Sequence, residues 1–300
     1  PTTPSLSVDF DNPDTWRAIL PTSYSTSDGR VTRVQDNQPP DISQYCDMWK
    51  LSFPIRLART PTSDLYRVTH LEQQAILKIL TPRGRTFEGQ GSSALRCFQG
   101  PGAVKLLDFD DGAMLLEHLD GGELSNLVKQ GKDAQAAHII CDVLDVLHSY
   151  AGETPAGIHG LRREFESLFT RARGEKPDSI FRRTAKVADT LISTESNTRL
   201  LHGDIHHGNI LKSSSRGWVA IDPQGLFGER TYDVANSFFN PDEVPHVVGT
   251  RERIDSLSSR RSCKETLSEI PSSKHQIPNT KSEIRNPKLE NLKLQIPNPK

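Results

Sequence analysis

Three side chains near the middle of the sequence have the types and the spacing that phosphoryl transfer requires. Asp204 stands two positions after a histidine, Asn209 comes five residues later, and Asp222 follows an apolar run. A carboxylate can orient an attacking hydroxyl group, and an asparagine oxygen with a further carboxylate supplies hard ligands for Mg²⁺. The sequence therefore indicates a site that transfers a phosphoryl group to an alcohol.

The residues between the last two of these side chains predict a hairpin that fixes their separation. We expect a strand at Ile210–Lys212, a turn at 213–217 and a second strand at Trp218–Ile221. In a purely structural alternative, Asp204 is a loop aspartate that caps a helix, and Asp222 is a strand-end aspartate in a turn. That alternative explains neither the asparagine nor the spacing of the hairpin, so we favour the catalytic interpretation.

The segment that carries these residues resembles a known catalytic motif. Residues 202–209 read His-Gly-Asp-Ile-His-His-Gly-Asn, and residues 221–223 read Ile-Asp-Pro. This wording is similar to the catalytic segment of the aminoglycoside phosphotransferase family, whose members are relatives of the protein kinases. Gly203 replaces the arginine of protein kinases, and Asp222 precedes Pro and Gln where protein kinases have Phe and Gly.

Two details of the wording resemble one branch of that family. His-His-Gly-Asn at 206–209 and Ser-Arg-Gly-Trp at 215–218 are closest to the streptomycin 6-kinase branch, also called the aminoglycoside/hydroxyurea resistance kinases. The resemblance implies that Asp204 is the catalytic base. It also implies that Asn209 and Asp222 hold Mg²⁺ and, through it, ATP.

The resemblance assigns further nucleotide-binding residues to a smaller lobe. Lys78 lies inside the apolar run Ile76–Leu80, where a charged group needs a partner. In the family such a lysine contacts the α- and β-phosphates and pairs with a glutamate of the next helix, for which Glu88 is the candidate. A lysine that points to solvent is the structural alternative. Backbone groups from Glu117 to Leu119 are expected to bind adenine at the hinge, with a plain loop as the alternative.

The fold that the resemblance implies is α+β and protein-kinase-like, with two lobes. We expect a small antiparallel-sheet lobe at 46–119 and a larger helical lobe at 120–250. Apolar patterns predict paired strands at 64–69 and 74–80, a hairpin around an Asp-Gly turn at 110–112, and helices at 133–150, 161–169 and 179–193. The turn at 59–63 contains no glycine, so its hydroxyl and N–H groups are expected to serve the phosphates.

Both ends of the sequence differ from this central part. Residues 1–45 are rich in Ser, Thr, Asp, Asn and Pro, and we expect a flexible extension. In residues 251–300 a proline-containing unit recurs, at first every seven residues. Proline blocks a coiled coil with that period. We therefore expect a disordered tail there and a C-terminal part of the large lobe that is truncated.

Composition limits the partners and the location of the protein. Of 300 residues 34% are hydrophobic, and no apolar run approaches the roughly 20 residues of a membrane helix. Residues 1–250 contain 26 basic and 32 acidic residues, which suits a cationic small substrate better than nucleic acid. A basic run at 171–186 lacks aromatic companions and is interpreted as a solvated face. Four scattered cysteines and no signal peptide favour a cytoplasmic monomer without a membrane anchor.

The function that the resemblance implies is transfer of the γ-phosphoryl group from MgATP to a hydroxyl of an aminoglycoside, of the streptomycin type, which gives antibiotic resistance. Two alternatives remain open. A small-molecule kinase for another alcohol would carry the same motifs, and an inactive nucleotide-binding remnant would result if the truncated lobe no longer holds an acceptor.

Overall fold

A computed structural model of the chain describes residues 41–241 together with 243, 244, 246–248, 250, 252, 253 and 257, and it gives residues 86–88 as backbone alone. Within this part the chain forms a sheet lobe followed by a mainly helical lobe, which confirms the predicted α+β, kinase-like class. Most of the predicted extension and of the predicted tail lies outside the described residues.

The small lobe is built on a five-stranded antiparallel sheet. Its strands are β1 (Ser52–Arg59), β2 (Ser63–His70), β3 (Gln73–Leu80), β4 (Leu106–Asp110) and β5 (Ala113–Glu117). Their order in the sheet is β1-β2-β3-β5-β4. The predicted strand pair and the predicted Asp-Gly hairpin are both present. Gly112 has a φ of 120° in the tight β4–β5 turn, where a residue with a side chain would be strained.

The register gives the sheet an outer face and an inner face, because opposite residues of an antiparallel pair point to the same side. Tyr66, Leu77 and Leu115 are neighbours across three strands and are all buried. They share a core cluster with Tyr45 and Trp49 of helix α1 (Ser43–Trp49), which therefore covers the outer face. The boundary expected at residue 45 falls inside α1. Two aromatic side chains four residues apart are too weak a pattern to predict so short a helix.

The helices that follow the first three strands agree with the apolar patterns in part. They are α2 (Pro82–Glu88), α3 (Gly91–Phe98), α4 (Ser125–Lys129), α5 (Asp133–His148), α6 (Leu161–Glu164), α7 (Glu166–Arg173) and α8 (Ile180–Ser193). The predicted helix 133–150 corresponds to α5, whose apolar face is buried, and α8 begins after Ser179, whose hydroxyl accepts a bond from the N–H of Arg182. The predicted helix 161–169 is divided at Phe165, which packs edge-on against Tyr232.

Short strands and two 3-10 helices carry the predicted catalytic segment. A three-stranded sheet has the order β6-β10-β7, and the predicted hairpin is formed by β8 and β9. The bounds are β6 (His159–Gly160), β7 (Thr198–Leu201), β8 (Ile210–Ser213), β9 (Gly217–Ala220) and β10 (Leu226–Glu229), with 3-10 helices at His207–Asn209 and Arg230–Phe238. None of the helices in the described ranges combines the length and the hydropathy that a bilayer crossing requires.

The buried carboxylate of Asp233, in the second 3-10 helix, supports the loop after β7 from behind. It accepts hydrogen bonds from the backbone N–H of His202 (3.0 Å) and of Gly203 (2.7 Å), and it lies 2.9 Å from Nε2 of His148 at the end of α5. Through these contacts Asp233 holds the backbone of the loop in place. Burial alone would raise the pKa of Asp233, but the bond from His148 and its charge outweigh burial, so the pKa is lowered.

Two residues beyond position 250 belong to the core of the large lobe. Arg253 is 1% exposed and binds both carboxylate oxygens of Asp133 at the start of α5, with 3.2 Å between Nε and Oδ2. It also donates to the carbonyl of Ser237 (3.1 Å). Leu257 is buried against Ala137 and Cys141 of α5. Residues beyond the boundary expected at 250 therefore still pack against this lobe.

Replacing Arg253 by leucine is expected to lower the free energy of unfolding by about 3–5 kcal/mol, because Asp133 then keeps a mostly buried charge without its partner. Urea denaturation at neutral pH measures the loss. The matched control is Arg173→Leu, which breaks an exposed pair with Glu166 (3.2 Å) and should cost at most ~1 kcal/mol. Equal, small losses in both variants would show that Arg253 does not anchor this segment.

Replacing Asp233 by asparagine is expected to destabilise the protein at neutral pH and to flatten its acid denaturation. A carboxylate whose pKa is lowered in the fold adds stability above its unfolded pKa of about 4, and that stability is lost as the pH falls through the folded value. Urea midpoints of both proteins, measured from neutral pH down to pH 3, should therefore converge as the pH falls. A constant difference across this range would contradict the role of the charge.

Candidate active site

Asp204 and Asn209 lie next to each other in the segment between β7 and β8, whose backbone Asp233 supports. The side-chain Nδ2 of Asn209 donates to the backbone carbonyl of Asp204 (2.9 Å) and to its carboxylate oxygen Oδ2 (3.1 Å). The first 3-10 helix, His207–Asn209, sets this distance by turning the chain immediately before β8. Because the amide nitrogen of Asn209 is held by Asp204, its carbonyl oxygen is directed away from Asp204 and is suited to binding a cation.

Asp222 and Lys78 connect the two lobes. The ammonium group of Lys78 contacts Oδ1 of Asp222 across 144 residues of sequence. The Lys78 side chain is 3% exposed and the Asp222 side chain 44%, so the lysine is enclosed while the carboxylate reaches the solvent. Asp222 has a φ of 62°, a conformation that residues other than glycine seldom adopt and that occurs preferentially at functional sites.

The register of the small sheet puts Lys78 on its inner face, the one opposite α1. Lys78 pairs with Leu65 of β2 and with Met114 of β5, so these three side chains share that face. Along β3, buried side chains that point to the outer face alternate with side chains, Lys78 among them, that point to the inner face. The solvent-facing alternative for Lys78 is therefore wrong, because the lysine is buried between the sheet and the catalytic lobe.

His202 holds the two halves of the site in one arrangement. Its ring Nε2 lies 2.9 Å from the carbonyl of Ile221, next to Asp222, and its Nδ1 lies 3.3 Å from the N–H of Asp204. Its own carbonyl accepts bonds from the N–H groups of Gln224 (2.8 Å) and Gly225 (3.1 Å). Burial lowers the pKa of His202, which fits a neutral ring with the proton on Nε2.

The carboxylate of Asp204 is half-buried, and the groups around it have opposite effects on its pKa. Burial raises its pKa, and so does the negative charge of Asp222. The nearby ring of His206, whose Nε2 lies 3.8 Å from Oδ2, and the amide groups of Asn209 and Asn236 act in the opposite direction. Asn236 donates from Nδ2 to Oδ1 at 2.8 Å. Each oxygen of Asp204 therefore accepts a bond from one amide group.

A divalent cation fits the donor set of this site. Asp222 already faces a cationic ammonium group, and Asp204 and Asp222 are close enough to raise the pKa of Asp204. Asp222 and the side-chain oxygen of Asn209 supply the hard oxygen ligands that Mg²⁺ prefers. Among the described residues there is no group of three or more His, Cys, Asp or Glu that could enclose a metal, so phosphates and water would complete the coordination.

The remaining predicted nucleotide-binding residues are less fully described. Glu88 ends α2, and its side chain lies outside the described part, so its pairing with Lys78 stays a prediction. The carboxylate of Glu117 contacts Arg216 and accepts from the N–H of Lys105 (2.8 Å), and the N–H of Glu117 donates to the carbonyl of Lys105 (3.0 Å). Adenine binding by backbone groups from Glu117 to Leu119 stays a prediction. Leu119 is partly buried against the main core.

The turn between β1 and β2 satisfies much of its own polarity. The hydroxyl of Thr60 accepts bonds from the N–H groups of Ser63 (2.9 Å) and Thr62 (3.3 Å). The N–H groups that were expected to serve phosphates are thus already bonded to a side chain that stiffens the turn. The bonds to Thr60 make this turn more rigid than a glycine-rich turn would be.

Sequence reasoning did not find two of the residues that shape the site, His202 and Asn236. His202 is visible in the His-x-Asp wording, and its role could have been expected from an imidazole two residues before a catalytic carboxylate. Asn236 follows Asp233 by three residues, which is one turn of a 3-10 helix, but the sequence indicates no such helix. The neighbouring His206 and His207 point apart: His206 faces Asp204, and His207 is buried.

Comparison with known proteins agrees with this geometry. The family model described as aminoglycoside/hydroxyurea antibiotic resistance kinase matches residues 48–261. A streptomycin 3''-kinase of Klebsiella pneumoniae is 35% identical over 197 residues, which cover 65% of this chain and 72% of the relative. A hydroxyurea phosphotransferase of Kitasatospora aureofaciens is 31% identical over 255 residues, which cover 77% of this chain and 73% of the relative.

Solved structures agree on the fold. The ternary complex of streptomycin, ATP and APH(2")-IIa has a TM-score of 0.55 at 13% identity and covers 78% of this chain and 84% of that chain. At this identity the similarity concerns the fold. The family match includes the whole catalytic segment, every strand of the small-lobe sheet and the helices α2 to α8. The chain therefore belongs to the aminoglycoside/hydroxyurea antibiotic resistance kinase family and is an ATP-dependent phosphotransferase.

Proposed function

We propose that this chain transfers the γ-phosphoryl group of ATP to a hydroxyl group of a streptomycin-type aminoglycoside, with Mg²⁺ as the metal. The observation that carries the proposal is the half-exposed carboxylate of Asp204, held by two amide groups beside the pair of Lys78 and Asp222. A fixed carboxylate next to cation-binding oxygens is what phosphoryl transfer to an alcohol requires.

The proposed reaction uses Asp204 as the proton acceptor. A carboxylate oxygen of Asp204 orients the hydroxyl group of the acceptor and takes its proton. The hydroxyl oxygen forms a bond to the γ-phosphorus, while the bond from that phosphorus to the oxygen shared with the β-phosphate breaks. The electron pair leaves with ADP, and the acceptor becomes a phosphate ester. The proton passes from Asp204 to the solvent.

The other residues position the nucleotide. Lys78 would hold the α- and β-phosphates, Asn209 and Asp222 would hold Mg²⁺, and backbone groups from Glu117 to Leu119 would hold adenine. Bound Mg²⁺ would neutralise the charge that develops on the β- and γ-phosphate oxygens. Glu88 is proposed as a further partner of Lys78.

Charge and similarity support the choice of acceptor. Residues 1–250 contain more acidic than basic residues, which favours a cationic acceptor. One reported relative is named as a streptomycin kinase. The relative that aligns over the longest stretch is named as a hydroxyurea phosphotransferase, so hydroxyurea is the second acceptor to test. We further propose that the protein acts as a cytoplasmic monomer on small molecules and binds neither nucleic acid nor a membrane.

Replacing Asp204 by alanine is expected to lower kcat/KM for streptomycin by about 10²–10⁴-fold, the usual contribution of a general base. ADP formation that depends on streptomycin measures the rate, and the phosphorylated product is identified by mass spectrometry and ³¹P NMR. MgATP should raise the melting temperature of the variant and of the wild type by the same amount. The control Asp189→Ala, which alters an exposed carboxylate paired with Arg162, should keep full activity.

The outcomes separate the alternatives. Turnover with hydroxyurea and not with streptomycin would show that hydroxyurea is the acceptor and would leave the proposed mechanism unchanged. Binding of MgATP without turnover on either acceptor would favour the inactive remnant. Unchanged turnover in Asp204→Ala would remove Asp204 from the chemistry.

Replacing Asp222 by asparagine is expected to raise the Mg²⁺ concentration that gives half-maximal activity by at least about tenfold, because one charged ligand becomes neutral. Activity titrations with Mg²⁺ at saturating ATP, and calorimetric titrations of ADP with and without Mg²⁺, measure the effect. Asp189→Asn is the matched control. A Mg²⁺ dependence equal to that of the wild type would show that Asp222 is not a metal ligand.

A further inference from the structure

The catalytic carboxylate is held by two amide groups, only one of which belongs to the catalytic motif. Asn209 binds Oδ2 of Asp204 at 3.1 Å, whereas Asn236 binds Oδ1 at 2.8 Å from a different segment of the chain. An ionised carboxylate has about four lone-pair positions for hydrogen bonds. The two amide groups use two of them and leave the others for an incoming hydroxyl group.

The segment of Asn236 is the 3-10 helix that already supports the catalytic loop. In a 3-10 helix the side chains at i and i+3 lie one above the other. Asp233 and Asn236 have this spacing, and they contact consecutive parts of one loop. Asp233 binds the N–H groups of His202 and Gly203, and Asn236 binds the side chain of the next residue, Asp204.

We propose that Asn236 is a positioning residue, which fixes the orientation of the Asp204 carboxylate toward the hydroxyl group of the acceptor. The inference rests on the proposed role of Asp204 as the base. A donor to a carboxylate makes it a weaker base. The benefit of the contact is therefore geometric, since small errors in the orientation of reacting groups have large effects on rate.

The exposure of Asn236 separates this role from a structural one. Its side chain is exposed, so it buries little surface in the fold. The stability of the helix end has another source, because Nδ2 of the neighbouring Asn240 donates to the backbone carbonyl of Asn236 at 3.1 Å. A substitution at 236 removes the contact with Asp204, and a substitution at 240 removes a bond of the same helix that does not involve Asp204.

The test compares Asn236→Ala, Asn236→Asp and Asn240→Ala in the streptomycin-dependent reaction. Asn236→Ala is expected to lower kcat by about 10- to 100-fold, in line with the loss of one hydrogen bond to a charged group. The KM values for ATP and streptomycin should change less than about threefold, because neither substrate loses a contact in the proposed role. Asn236→Asp keeps the shape and repels Asp204, so it should lower kcat further. Asn240→Ala should keep the kcat of the wild type.

A double-mutant cycle with Asp204→Ala shows whether Asn236 acts through that carboxylate. If it does, adding Asn236→Ala to Asp204→Ala will not slow the residual rate further. A full additional loss, or a wild-type kcat in Asn236→Ala, would overturn the inference. An inactive Asp204→Ala combined with a fully active Asn236→Ala would leave the proposed function intact and reject the inference alone. Unchanged activity of Asp204→Ala would reject both.

A measurement independent of the acceptor completes the test. Crystal structures of the wild type and of Asn236→Ala are expected to differ in the side-chain torsion of Asp204, while the backbone of the loop stays in place. If the Asp204 carboxylate keeps the same orientation in Asn236→Ala, Asn236 does not position it, whatever the turnover.

Discussion

The arrangement of the site depends on the burial of one carboxylate, that of Asp233. A fully buried charge costs several kcal/mol unless its hydrogen-bonding capacity is met. Asp233 has that capacity met by donors from two separate segments, the ring of His148 at the end of α5 and the N–H groups of His202 and Gly203 in the loop. These donors converge only when the helix, the loop and the 3-10 helix are packed together. The free-energy cost of burying Asp233 without these donors therefore favours one conformation of the loop after β7.

The position of His202, which Asp233 fixes, determines the positions of the other site residues through hydrogen bonds. His202, whose N–H is held by Asp233, binds the carbonyl of Ile221 through its ring and the N–H groups of Gln224 and Gly225 through its carbonyl. The residue between these contacts is Asp222, which meets Lys78 of the small lobe. A loop, a hairpin end and a strand of the other lobe thus share one chain of hydrogen bonds.

The sequence predicted those parts whose signal is local. The β8–β9 hairpin, the helices α5 and α8 and the spacing of Asp204, Asn209 and Asp222 follow from periodicity and a short motif. The contacts of Asn236 with Asp204, 32 residues apart, and of Arg253 with Asp133, 120 residues apart, follow from packing, which no window of sequence contains. Helix α1 was missed for another reason: its seven residues are ordered by the sheet face they cover, and their own helical preference is small.

Exposure divides the polar residues of the site into two groups with different physical tasks. Asp204 and Asp222 have side chains 36% and 44% exposed, which substrates arriving from solvent require. His202 and Asp233 are at most 1% exposed and form hydrogen bonds with other groups of the protein. Half-exposed side chains on a loop would be mobile if only water molecules held that loop, because one water molecule readily replaces another in a hydrogen bond. The fully buried carboxylate of Asp233 fixes the loop backbone with hydrogen bonds for which water does not compete. The side chains to which we assign the chemistry can therefore be accessible and fixed at once.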